Sequence, residues 1–131
     1  MGSRTLASFR KYGNRSRMHG GFGNMGNRVY MLNVLWFKEG GGAGKYAEYV
    51  AAAAPYVNEL GGKLVESYTP ESALIGDWNP DLFFVVEWPD WETFMKLPQN
   101  PGYQKIAHLR EEALRDSLLI RCRRESGALL E

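Results

Sequence analysis

Apolar residues fall into two rhythms along this chain. From Val29 to Phe37 the run Val-Tyr-Met-Leu-Asn-Val-Leu-Trp-Phe is short, flanked by Gly-rich sequence and apolar almost throughout, which predicts a strand buried on both faces. The exception is Asn33. A buried amide costs roughly 1–3 kcal/mol unless it is hydrogen-bonded, so Asn33 is expected either to tie two strands together or to line a polar cavity. From Lys45 to Leu60 the rhythm turns helical, with Tyr46, Tyr49/Val50, Ala53, Val57 and Leu60 recurring every three or four residues. Gly61-Gly62 stops that helix, and Pro55, which removes a helical hydrogen bond, predicts a kink or break near Ala51–Ala54. Residues 63–68 alternate as a second strand. After a break at 69–72 the chain is expected to run extended over 73–76, then to turn through Asp77-Trp78-Asn79-Pro80-Asp81 into a third strand, 82–88, polar only at Glu87. Asp90 is placed to cap a helix over 91–97. Pro98 and Pro101 precede a longer helix from Tyr103 to about Arg115, and residues 117–122 form a last strand.

The order strand, helix, strand, strand, helix, strand is an α+β arrangement. It is the split βαβ, or ferredoxin-like, βαββαβ protomer, a four-stranded antiparallel sheet with helices on one face. The other face has no predicted cover, yet the first and third strands are apolar on both sides. A second copy is the simplest cover, so a homodimer is expected.

Charge divides the chain unevenly. Residues 1–28 hold six of the 16 Lys and Arg and none of the 15 Asp and Glu, with six Gly and three Asn. Such a segment buries too little to offset an ordering cost of about 1–2 kcal/mol per residue. It is read as a flexible basic arm, residues 29–122 as the domain, and 123–131 as a frayed tail. The Arg are not clustered and no aromatic ladder accompanies them, so nucleic acid is not the expected partner. The single cysteine, Cys122, rules out an intrachain disulfide. With no secretory signal pattern and no run of 18 apolar residues, a cytoplasmic protein without a membrane partner is expected. The loop Lys38–Gly44 matches neither GxxxxGK[ST] nor GxGxxG and is read as a flexible turn.

Met31-Leu32-Asn33-Val34-Leu35-Trp36-Phe37-Lys38, Tyr46-Ala47-Glu48-Tyr49, Gly61-Gly62-Lys63-Leu64 and Leu74-Ile75-Gly76-Asp77-Trp78 follow one another in a telling order. Val85-Val86-Glu87-Trp88-Pro89, Pro101-Gly102-Tyr103-Gln104 and Arg110 ahead of Ala113-Leu114-Arg115-Asp116-Ser117 complete the series. Over about residues 29–122 the chain resembles the domain-of-unknown-function 1330 (DUF1330) family of the dimeric α+β barrel superfamily. The resemblance implies a ferredoxin-like protomer and a dimer. It implies no single reaction, because that superfamily spans cofactor-free monooxygenases, isomerases, cyclases, haem enzymes and proteins without known activity. In the family pattern a histidine directly precedes the arginine of the last helix. Here that position is Leu109 and the histidine is His108, about 100° around a helix.

Alternation groups Asn33 with Met31 and Leu35, Glu66 with Leu64 and Tyr68, and Glu87 with Phe83 and Val85. Were the lone polar residue of each strand turned to one cavity, Asn33, Glu66, Tyr68 and Glu87 would meet Arg110 or His108 from the last helix, with Trp88 and Tyr103 as further lining. Glu87, Glu66, Arg110 and His108 are therefore the candidate catalytic residues, a carboxylate in apolar surroundings acting as base on a carbon acid or phenol. The alternative is a Glu–Arg pair at a dimer seam. No cofactor is expected, and one histidine without a nearby second argues against a metal site. Tyr46, Tyr49 and Tyr56 are read as packing on the sheet. Two functions remain open: a cofactor-independent enzyme for proton transfer, isomerisation or oxidation of a small aromatic or carbonyl compound, and a non-catalytic small-molecule-binding or interaction protein. Removing residues 1–28 is expected to leave thermal stability and the dimeric state unchanged, since exposed ion pairs contribute about 0–1 kcal/mol each. A loss of several kilocalories per mole would make the arm part of the fold.

Overall fold

Strand β1 (Val29–Phe37) runs through the interior of an antiparallel sheet ordered β2-β3-β1-β4. The computed structural model describes residues 27–125. The other elements are α1 (Gly42–Glu59), β2 (Lys63–Tyr68), β3 (Leu82–Trp88), α2 (Trp91–Gln99), α3 (Pro101–Ile106), α4 (His108–Ala113) and β4 (Leu114–Cys122). Apart from Asn27 and Arg28, the basic arm expected over 1–28 lies outside the described residues, as do residues 126–131 of the tail. No helix among the described residues is long and apolar enough to cross a membrane.

Register decides which residues meet. Val29, Met31, Asn33 and Leu35 of β1 pair with Trp88, Val86, Phe84 and Leu82 of β3, and these positions face the helices. There Val29, Met31 and Trp88 pack with Ala53, Phe94, Leu97, Tyr103 and Ala107, while Leu35 packs with Tyr46, Ala113 and Leu114. The alternate positions, Tyr30, Leu32, Val34 and Trp36 with Val85 and Phe83, occupy the opposite face. Leu118 and Ile120 of β4 join them, opposite Val34 and Leu32. At one end of this face Trp78 meets Trp36 edge-on with centroids 5.8 Å apart. Asp81 pins the β2–β3 loop there, its N–H donating to the Leu35 carbonyl (2.8 Å) and its carboxylate accepting from the Phe37 N–H (2.8 Å).

Several expected boundaries are corrected. Helix α1 begins at Gly42 and runs through Pro55 without a break. Ala51, whose carbonyl loses its N–H partner, and Pro55 are both exposed, so water can satisfy the freed oxygen. Residues 73–76 form no strand, because β3 has no further partner beyond the Tyr68–Phe83 pair. Helix α2 extends to Gln99, with Pro98 inside its last turn. The single helix expected over 103–115 is two short ones divided at Ala107, and β4 starts at Leu114. That early start is fixed by the Lys38 N–H donating to the Ala113 carbonyl (2.9 Å) and by the close approach of Gly42, where an added Cβ would lie 2.6 Å from the same oxygen. Two caps stand as side-chain bonds: Asp90 accepts from the Thr93 N–H (2.7 Å), as the sequence implies, and Asn100 accepts from Gly102 and Tyr103.

Gly62 lies where an added Cβ would meet the Val57 side chain at 2.7 Å and the Trp88 ring at 3.0 Å, whereas Gly44 in α1 has nothing within 4 Å. Gly62→Ala is expected to cost about 1–3 kcal/mol by overpacking and Gly44→Ala to gain up to about 1 kcal/mol by helix propensity. Urea midpoints of the two variants check both signs, and a reversed order would contradict the packing described.

Candidate functional site

Tyr46 and Tyr49 stand one helical turn apart on the sheet-facing side of α1, with ring centroids 5.4 Å apart. Tyr103 on α3 reaches the same place, and its hydroxyl lies 2.7 Å from that of Tyr49. From α4, Arg110 enters beside them. Its Nη1 donates a long hydrogen bond to the Ser117 hydroxyl (3.5 Å), and its Nη2 is buried with no hydrogen-bond partner. Among the described residues no carboxylate forms an ion pair with Arg110. Ser117 pairs with Leu35 across the β1–β4 ladder and Asn33 with Leu119, so Asn33 and Ser117 are diagonal neighbours on one face. Asn33 is buried and donates from Nδ2 to the Met31 carbonyl (3.2 Å).

Burial sets the ionisation of the tyrosines. Tyr46 is pushed up to about 12, chiefly by loss of solvent, with the nearby Arg110 guanidinium opposing the rise. Tyr49 is raised well above the ordinary phenol by burial and the neighbouring Tyr103. Tyr103 is raised by burial and drawn partly back by the hydrogen bond from Tyr49. At neutral pH all three keep their protons beside a permanent cation, one of the protons of Tyr49 and Tyr103 being spent on the bond between them. The arrangement can bind an anion or a developing oxyanion, and it contains no group suited to remove a proton.

The convergence expected from sequence is only partly found. Asn33, Tyr103 and Arg110 share the layer between sheet and helices. Trp88 lies in that layer at the far end of β1, opposite Val29 and against Phe94, with its Nε1 buried and unpartnered. Glu66, Tyr68 and Glu87 are across the sheet from Asn33. The reason is parity: Asn33 pairs with Phe84, so even-numbered positions of β3 face the helices and Glu87 does not. A register shift between Leu64 and Glu66 also separates those two residues, placing Leu64 beside Val86 and Glu66 beside Val85. Glu87 accepts from the Tyr30 hydroxyl (3.0 Å) and lies 3.7 Å from Arg28. Tyr68 stacks on Phe83. His108 is exposed, 4.0 Å from Glu112. Among the described residues no three side chains gather in a way that would hold a metal ion. Tyr46, Tyr49 and Ser117 were missed as polar members of the cluster. The available signal was tyrosine where a core asks for Phe or Leu, since a buried hydroxyl needs a partner.

The family described as Domain of unknown function (DUF1330) matches residues 41–121. No curated protein matches the chain. A solved protein of unknown function from Rhodopseudomonas palustris is 28% identical over 96% of this chain and 99% of its own, with a TM-score of 0.78. A dimeric ferredoxin-like protein of unknown function from Jannaschia sp. CCS1 is 16% identical over 74% of this chain and 99% of its own, with a TM-score of 0.58. SnoaB from Streptomyces nogalater, a cofactor-independent oxygenase, is 17% identical over 76% and 97%, with a TM-score of 0.51. The ferredoxin-like α+β fold expected from the element order is thus the fold found.

A tyrosine whose folded-state pKa is raised keeps its proton to higher pH in the folded protein than in the unfolded chain. The stability it contributes is complete below the ordinary value of 10.0 and is lost as pH climbs toward about 12. Denaturant midpoints are expected to fall across that window and to fall less steeply in Tyr46→Phe. An unchanged slope in the variant would contradict the burial described.

Proposed function

The chain belongs to the DUF1330 family, whose description names no activity, and on that footing we propose that it binds a small organic anion at Arg110. The ligand class is a carboxylate or enolate of an aromatic or carbonyl compound. The observation that carries this reading is the buried, unpartnered Nη2 of Arg110. A guanidinium does not lose its charge in proteins, and although Arg110 as a whole is half-buried, the end of it taken from water is met best by counter-charge and hydrogen bonds together. Tyr46 and Ser117 supply acceptors but no charge. A bound carboxylate supplies both in a bidentate geometry, with the Tyr46 hydroxyl and whichever of Tyr49 and Tyr103 does not donate to the other as neighbouring donors.

Of the two functions open from sequence, binding is the better supported. Proton abstraction needs a base, and the carboxylates considered for it, Glu66 and Glu87, lie across the sheet. Any chemistry at Arg110 is confined to stabilising an oxyanion formed by other means. The likeness to a cofactor-independent oxygenase bears on fold alone. In a full-chain titration, benzoate is expected to bind by calorimetry, benzamide to bind at least tenfold more weakly, and Arg110→Met to abolish the difference. Equal binding of acid and amide to the unmodified protein would overturn the proposal.

The assembly is proposed to be a homodimer formed through the face opposite the helices. Support comes from Leu32, Val85, Leu118 and Ile120 on that face, Ile120 being 43% exposed, and from the dimeric description of a neighbour of the same fold. Of the two leucines considered from sequence, Leu35 is core and Leu32 faces away from the helices. Leu32→Asp is expected to give a folded monomer by light scattering, because the dimer would bury an unpaired charge. A dimer of unchanged mass would contradict this interface.

A further inference from the structure

A second place on the molecule has the makings of a ligand site, independent of Arg110. A half-open surface cavity of about 420 Å³ lies between the β2–β3 loop and the start of β3, lined by Pro70, Glu71, Ile75, Trp78, Asn79 and Phe83 among others. That size is within the range of small-molecule sites. Its walls are mostly apolar, with Glu71, Ser72 and Asn79 as the polar members. Trp78 is held edge-on by Trp36, 5.8 Å away at 76°, and keeps half its surface exposed; Phe83 is braced from the other side by Tyr68, 5.4 Å away. Asn79 is oriented too, because its Oδ1 accepts from the Trp36 indole N–H (3.2 Å). Among the described residues Glu71 is the only charged one in the lining, and no cation pairs with it.

A carboxylate with no ion-pair partner in the same lining as a half-exposed indole is the chemistry that selects a weakly hydrated organic cation. The carboxylate supplies charge and the ring quadrupole attracts a cation whose methyl groups make its hydration inexpensive to remove. We propose that this cavity binds a small alkylated ammonium compound, with Trp78 as the wall over which the cation sits and Glu71 as its counter-charge. An anion is disfavoured by Glu71, and a neutral compound forgoes both attractions.

Choline and its neutral carbon isostere 3,3-dimethyl-1-butanol have nearly the same shape and differ in charge. Titrated into the full chain by calorimetry, choline is expected to bind and the isostere to bind at least about fivefold more weakly. Glu71→Gln and Trp78→Leu are each expected to weaken choline binding by roughly five- to thirtyfold. Glu71 is exposed, so Glu71→Gln tests the site without touching the core, and circular dichroism confirms that Trp78→Leu is folded. The proposal is overturned by no heat from choline at tens of millimolar, by equal binding of the isostere, or by choline affinity unchanged in Glu71→Gln.

Discussion

A guanidinium placed under α1, with hydroxyl groups around it and no carboxylate paired to it among the described residues, is the constraint on which the interior of this protein turns. Arg110 cannot be neutralised as a buried lysine or glutamate can. The surroundings must therefore hold it by acceptors, and they do so by bringing three helices to one place. Tyr46 and Tyr49 come from α1, Tyr103 from α3, and Arg110 from α4, against Ser117 of β4. Burial there raises the phenol pKa values against the opposing pull of Arg110, so the hydroxyls stay protonated at neutral pH.

Backbone contacts around the cluster explain how so short a helix as α4 can place its arginine. The Ala113 carbonyl is tied to Lys38 at the end of β1, and Gly42 lets the start of α1 approach that oxygen. The chain passes from α4 to β4 with no intervening loop. Arg110 and Ser117 are thereby separated by the turn from α4 into β4, and their side chains meet across it. Asn100 closes the first turn of α3, its side chain accepting from the Gly102 and Tyr103 N–H groups.

Much of the fold was legible because two of its signals are strong. The unbroken apolar run at Val29–Phe37 and the turn residues at 77–81 specify interior strand and hairpin, and Asp90 marks a helix start that the structure realises as a side-chain cap. The site was less legible. Alternation within each strand correctly grouped Asn33 with Met31 and Leu35, and Glu87 with Phe83 and Val85. What it could not supply was the relation between strands, since a one-residue change of register exchanges the faces, and the pairing of Asn33 with Phe84 put Glu87 on the wrong side. The shift between Leu64 and Glu66 is likewise silent in the sequence. His108 failed for a helical reason, standing on the solvent side of α4 while Arg110 points inward.

Arg110, as proposed, is held ready for a carboxylate between sheet and helices. Crystals of the full chain grown with 4-bromobenzoate test it directly through the anomalous scattering of bromine. The account predicts a carboxylate bound to the Arg110 guanidinium, with the bromine peak inside the helix–sheet layer. Bromine found only on the outer surface, or a carboxylate of the chain itself seated on Arg110, would contradict it.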